Sequence, residues 1–101
     1  MAKNAMSLFR DLPEDAKERA RLKAEAIILS NRLARLRTEM GLTQTQLANR
    51  LHVKQAAISR LERRADIKVS NLIRYLEGLG GTNIRLLADI EGKRRRITLA
   101  P

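Results

Sequence analysis

The stretch Thr43-Gln-Thr-Gln-Leu-Ala-Asn-Arg-Leu-His-Val-Lys-Gln-Ala-Ala-Ile-Ser-Arg-Leu-Glu62 decides the fold. Thr43 is a good N-cap, because its hydroxyl can accept from an unpaired amide of the first helical turn. A short helix is expected to follow through Leu51, with Leu47, Ala48 and Leu51 turned inward. His52-Val53-Lys54 reads as a tight turn. Gln55 to about Arg63 then forms a second short helix, with Ile58 and Leu61 on its buried face.

Upstream, Gly41 is a good C-terminal stop for a long helix that starts near Leu12-Pro13-Glu14-Asp15. Leu22, Ala26, Leu29, Leu33, Leu36 and Met40 recur at alternating steps of four and three, which is one face of that helix. Extended backward, the stripe lands on Arg19 and Asp15. The buried face is therefore expected to begin near Leu22, leaving residues 1–21 as an arm or helical extension beyond the core. Downstream, Arg64 to Val69 is a polar connection. Ser70 is expected to cap a fourth helix, Asn71 to Leu79, closed by Gly80-Gly81. The period then changes to two. Ile84, Leu86, Ala88 and Ile90 alternate with Asn83, Arg85, Leu87 and Asp89, and after Glu91-Gly92-Lys93 the chain returns through Ile97 and Leu99. The expected organisation is an arm (1–21), a helical domain (22–81) and a C-terminal β-hairpin (82–101). The expected fold class is mostly α, a helical bundle carrying that hairpin, in an order of elements that resembles lambda-repressor-like domains.

Composition narrows the partners. The 101 residues carry 21 Lys and Arg against 11 Asp and Glu, a net charge of +10. Residues 1–25 hold six bases and five acids, and residues 26–101 hold fifteen and six. The globular part thus carries nearly all the surplus, as expected for a polyanion partner. A solubilising surface, a ribosomal role or a membrane-surface role would also fit charge alone. Cysteine is absent, which removes disulfides and thiolate metal sites. No apolar run approaches the ~20 residues of a bilayer span, and the first residues lack a secretory h-region. A cytoplasmic protein is expected. No nucleophile, base and orienting group recur at usable spacing, so neither catalysis nor a cofactor is expected. His52, the single histidine, has no cysteine or carboxylate cluster and reads as structural or exposed.

Two short helices joined by a tight turn, within a basic domain, are the helix-turn-helix pattern. In it, the first helix of the pair lies across a DNA backbone, where Gln44 can hold a phosphate. The second enters the major groove. Its outward residues are Lys54, Gln55, Ala56, Ser59, Arg60 and Arg63. Gln can bond adenine in two places, Arg can grip guanine, and Ala56 can meet a thymine methyl. Lys54, Arg63 and Lys68 are expected on phosphates. One such helix reads only a few base pairs, so a homodimer on a pseudo-palindromic operator is expected. The hairpin, marginal alone, offers Ile84, Leu86, Ile97 and Leu99 as the joining surface.

The run from Leu33 to Glu62 resembles the Xre/phage-repressor helix-turn-helix family, with core, cap and turn positions matching together. The resemblance implies that Gln44 binds phosphate and that Gln55, Ala56, Ser59 and Arg60 face DNA. It also implies an ion pair between Arg37 and Glu62, tying the first helix to the recognition helix. Lys54 departs from the family, which usually has a capping Ser or Thr there. The tail, Arg63-Arg-Ala-Asp-Ile-Lys-Val-Ser-Asn-Leu-Ile-Arg-Tyr-Leu-Glu-Gly-Leu-Gly-Gly81 followed by a hairpin, is similar to HigA-type antitoxins. Those bind RelE-like ribonuclease toxins and repress their own operon, which implies a toxin partner. The arm residues Phe9, Leu12 and Ala16 are the expected contact. A stand-alone regulator, such as a phage repressor or a restriction-system controller, remains the alternative. The globular charge argues against a module that has kept the fold without reading DNA. Lys93 to Arg96 reads as a DNA-flanking patch or as a charged guard on a strand edge, and Tyr75 as packing on the fourth helix.

Overall fold

The computed structural model describes residues 13–64 and 66–101. Four helices, α1 (Glu14–Glu39), α2 (Gln44–Leu51), α3 (Gln55–Leu61) and α4 (Val69–Gly78), precede two strands, β1 (Ile84–Ile90) and β2 (Lys93–Ala100). The chain is mostly helical with a C-terminal antiparallel hairpin.

Local chemistry sets most boundaries. Pro13 stands at the N-cap of α1, with Glu14 and Asp15 in the first turn against the helix dipole. The helix stops where Gly41 takes φ +77°. Thr43 and Gln46 form a reciprocal capping box on α2. The Thr43 hydroxyl accepts from the Gln46 amide, and the Gln46 side chain accepts from the Thr43 amide. His52 closes α2 in the left-handed region, which turns the chain sharply into α3. Lys54 precedes α3 and makes no side-chain cap. The fourth helix corrects the sequence reading. It starts at Val69 rather than Asn71, with Lys68 at the N-cap position and no capping side chain. Ser70 is already helical there, and the first turn closes through the Leu72 amide onto the Lys68 carbonyl at 3.0 Å.

The core is small. Leu33, Leu47, Ala48, Ile58, Tyr75 and Leu79 are buried together, with Leu42, Leu51, Leu61 and Leu76 packed around them. At Gly78 a Cβ would come within 2.7 Å of Leu47 Cδ1, so the missing side chain is what lets α4 approach α2.

The apolar stripe on α1 is the main correction. Of the stripe residues whose side chains are described, only Leu33 is buried; Leu22, Leu29, Leu36 and Met40 are exposed. The buried face begins at Ser30, not near Leu22. The shorter helices cover only the last third of α1. There, Ser30 and Arg37 must face inward to reach their hydrogen-bond partners, which turns the leucine stripe to one side. Ile27 and Ile28 are exposed as well.

The hairpin turns on Glu91 and Gly92, both at positive φ, the pattern of a two-residue type I′ turn. Its register pairs Leu86 with Ile97 and Ala88 with Arg95, then shifts so that Ile84 faces Ala100. Leu99 is the extra residue of that bulge and is half-buried. Ile84 is buried by its own chain, whereas Leu86, Leu87, Ile90 and Ile97 are each more than half exposed. The cover that the sequence requires is not supplied by the described helices. Among the described residues no helix is long and apolar enough to cross a membrane, and no cluster of His, Cys, Asp or Glu is placed to hold a metal ion.

Candidate nucleic-acid interface

Four segments converge on Glu62, at the C-cap of α3. Its carboxylate is almost fully enclosed, and Arg37 of α1 grips both oxygens, Nε to Oε2 at 2.8 Å and Nη2 to Oε1 at 2.9 Å. The third Arg37 nitrogen donates to the Leu42 carbonyl at 2.7 Å. Gln44, the first residue of α2, donates to Oε1 at 3.1 Å, and the Tyr75 hydroxyl of α4 is 2.9 Å from Oε2. A buried carboxylate without such partners would be severely destabilising. Here no buried side-chain nitrogen or oxygen among the described residues is left without a partner.

The electrostatics follow from that enclosure. Burial alone would push the Glu62 carboxyl up, but the hydrogen bonds from Arg37, Gln44 and Tyr75 outweigh it and hold the group below its ordinary range. The hydrogen bonds to Glu62 raise the Arg37 guanidinium further against the opposing effect of burial. Burial, then the bond to anionic Glu62, pushes the Tyr75 phenol well up. All three therefore hold fixed charge states at neutral pH.

The network reaches the surface through Gln44. While its amide nitrogen bonds Glu62, its oxygen accepts from Nε2 of Gln55, the first residue of α3. The outermost link thus fixes an exposed side chain at the start of α3 to a buried ion pair two steps behind it. Beyond Gln55, α3 presents exposed Ala56 and Arg60, half-buried Ser59 and, just past its end, exposed Arg63. Lys54 and Lys68 are exposed at the starts of α3 and α4. Of the residues singled out from the sequence for DNA, those from Lys54 to Arg63 fall on α3 or at its ends, Gln44 is held directly against Gln55, and Lys68 stands apart at the start of α4.

Other singled-out residues lie elsewhere. Ala16 is half-buried on α1, while Phe9 and Leu12 lie outside the described residues. Two contributors escaped sequence reasoning. Tyr75 is a hydrogen-bonding hub as well as a packing residue, also lying 3.0 Å from the Leu33 carbonyl. Ser30 is fully buried and donates to the Arg64 carbonyl at 2.7 Å, pinning the end of the α3 segment to α1. A lone Tyr amid apolar positions and a Ser on an apolar helix face were the available signals.

A helix-turn-helix family model matches residues 33–87, more than half of the chain. The protein belongs to the helix-turn-helix family of the Xre-like kind, a family of DNA-binding regulators. No curated protein and no solved structure gives a significant match.

Proposed function

We propose that this protein is a sequence-specific transcriptional repressor that binds a pseudo-palindromic operator as a two-fold dimer. The observation that carries the reading is the chain from Arg37 and Glu62 through Gln44 to Gln55. It fixes the start of α3 against a rigid interior while leaving its outer face in solvent. Gln55, Ala56, Ser59 and Arg60 read base edges. Gln44, Lys54, Arg63 and Lys68 hold phosphates on either side. The partly used hairpin supplies the dimer contact. Leu86 and Ile97 form a cross-strand apolar pair in solvent, both strand edges are open, and Ile84 and Leu99 anchor the hairpin's base. Selection from a pool of random duplexes tests this. It should enrich an inverted repeat whose half-sites lie about one helical turn (~34 Å) apart. Failure to enrich any motif at moderate salt would overturn the reading.

A protein partner in addition to DNA is favoured by one observation, the exposed aliphatic residues on α1, Leu22, Ile27, Ile28 and Leu29, beyond the end of the core. In this finer reading the protein is the antitoxin of a two-gene module. It neutralises a RelE-like ribonuclease toxin through Phe9, Leu12, Ala16 and α1, and it represses its own operon from the cytoplasm. Deleting residues 1–20 should then spare operator binding and weaken neutralisation. Full neutralisation by the truncated chain would leave the stand-alone regulator as the reading.

A further inference from the structure

A cavity of about 290 Å³ lies between α3 and α4, close to the turn that joins α2 to α3. Its apolar wall is made by Leu51, Val53, Ala57 and Leu61. Three arginines belong to the same lining, Arg60 and Arg64 from the α3 side and Arg74 from α4, and no acidic residue does. None of the three is in an ion pair with another described residue. Arg74 makes one long hydrogen bond, 3.4 Å to the Leu51 carbonyl.

This combination differs from a solvated basic surface. Like charges around one concavity repel, and an anion placed among them relieves that repulsion. Guanidinium forks suit the flat or tetrahedral oxygens of carboxylate and phosphate groups. The aliphatic wall contributes nothing to an inorganic ion but gains contact with an organic body. The volume sits at the lower end of the ~300–1,000 Å³ typical of ligand pockets, so the occupant is small.

We propose that this cavity binds a small organic anion, an apolar body carrying one phosphate or carboxylate group. Because Arg60 belongs both to the cavity and to the outer row of α3, occupancy changes the charge available to DNA. That consequence rests on the DNA reading of α3; the binding itself does not.

Isothermal titration of the full chain with phenyl phosphate, benzoate, inorganic phosphate and phenol tests the site without DNA. Phenyl phosphate or benzoate should bind saturably, one per chain and at least about tenfold tighter than inorganic phosphate or phenol. The tighter of the two identifies the head group. Arg64→Gln and Arg74→Gln, both at exposed positions, should each weaken binding by about tenfold or more, with thermal unfolding unchanged. The proposal is overturned if neither organic anion saturates, if inorganic phosphate binds equally well, or if both variants bind like the parent chain.

Discussion

Around Glu62 four segments of chain meet, and the carboxylate, at the end of one, has a partner on each of the other three. From Glu14 to Leu29 and from Leu86 to Thr98, by contrast, large aliphatic side chains face solvent. The first region is complete in one copy of the chain. The second holds apolar surface that the small core does not use. Satisfied polar groups give α3 a fixed pose, and uncovered apolar ones mark surface open to other molecules.

Breaking the complete region should cost most. Arg37→Ala leaves Glu62 buried without its counter-ion and should destabilise the fold by about 3–5 kcal/mol, read from urea unfolding. A loss below about 1 kcal/mol would mean that the pair behaves as a surface salt bridge. Gly78→Ala drives a Cβ into Leu47 and Leu51, and should cost about 1–3 kcal/mol.

Acid probes the same centre more gently. The folded Glu62 carboxyl titrates below its ordinary value of 4.5. Its contribution to stability is therefore fully present above that pH and is lost as the pH falls through the lowered folded value. Urea midpoints measured down the acid range should drop there, and Glu62→Gln, though less stable at neutral pH, should flatten that part of the profile.

The incomplete region should respond in the opposite manner. Leu86→Ser with Ile97→Ser removes an exposed pair, so unfolding of an isolated chain should change by no more than about 0.5 kcal/mol. Sedimentation should nevertheless shift from dimer toward monomer. A dimer that survives the double substitution would move the joining surface elsewhere, with the α1 stripe next in line. The smallest effect sharpens the hairpin itself. Glu91 sits in the left-handed region beside Gly92, and Glu91→Asn should stabilise the turn by a fraction of the ~1–2 kcal/mol that this conformation costs a larger side chain.

The same contrast explains what was legible in the sequence. Thr43, Gly41, His52 and Glu91-Gly92 act on neighbours in the chain, so the caps and turns of the central pair and the hairpin could be read locally. The start of α4 could not, because Ser70 is a competent cap that the helix passes over by beginning at Val69. Periodicity marked a leucine face on α1, but it carries no information about whether anything lies against that face. Ser30 and Tyr75 bond to groups 34 and 42 residues away along the chain, so their roles appear only once the helices are packed. On α3, alternation of inward Ile58 with outward Gln55, Ala56 and Arg60 was visible from spacing. The hydrogen bond that orients Gln55 through Gln44 was not.

Parallel selection of duplex sites by the parent chain, Gln55→Ala and Lys54→Ala tests most directly whether α3 reads sequence. The parent should yield an inverted repeat. Gln55→Ala should lose preference at one or two positions in each half-site, at a cost of roughly 1–3 kcal/mol. Lys54→Ala should keep the motif and weaken all sites alike, with a salt dependence lower by about one unit. An unchanged motif for Gln55→Ala, or a motif altered equally by both substitutions, would contradict base readout by this helix.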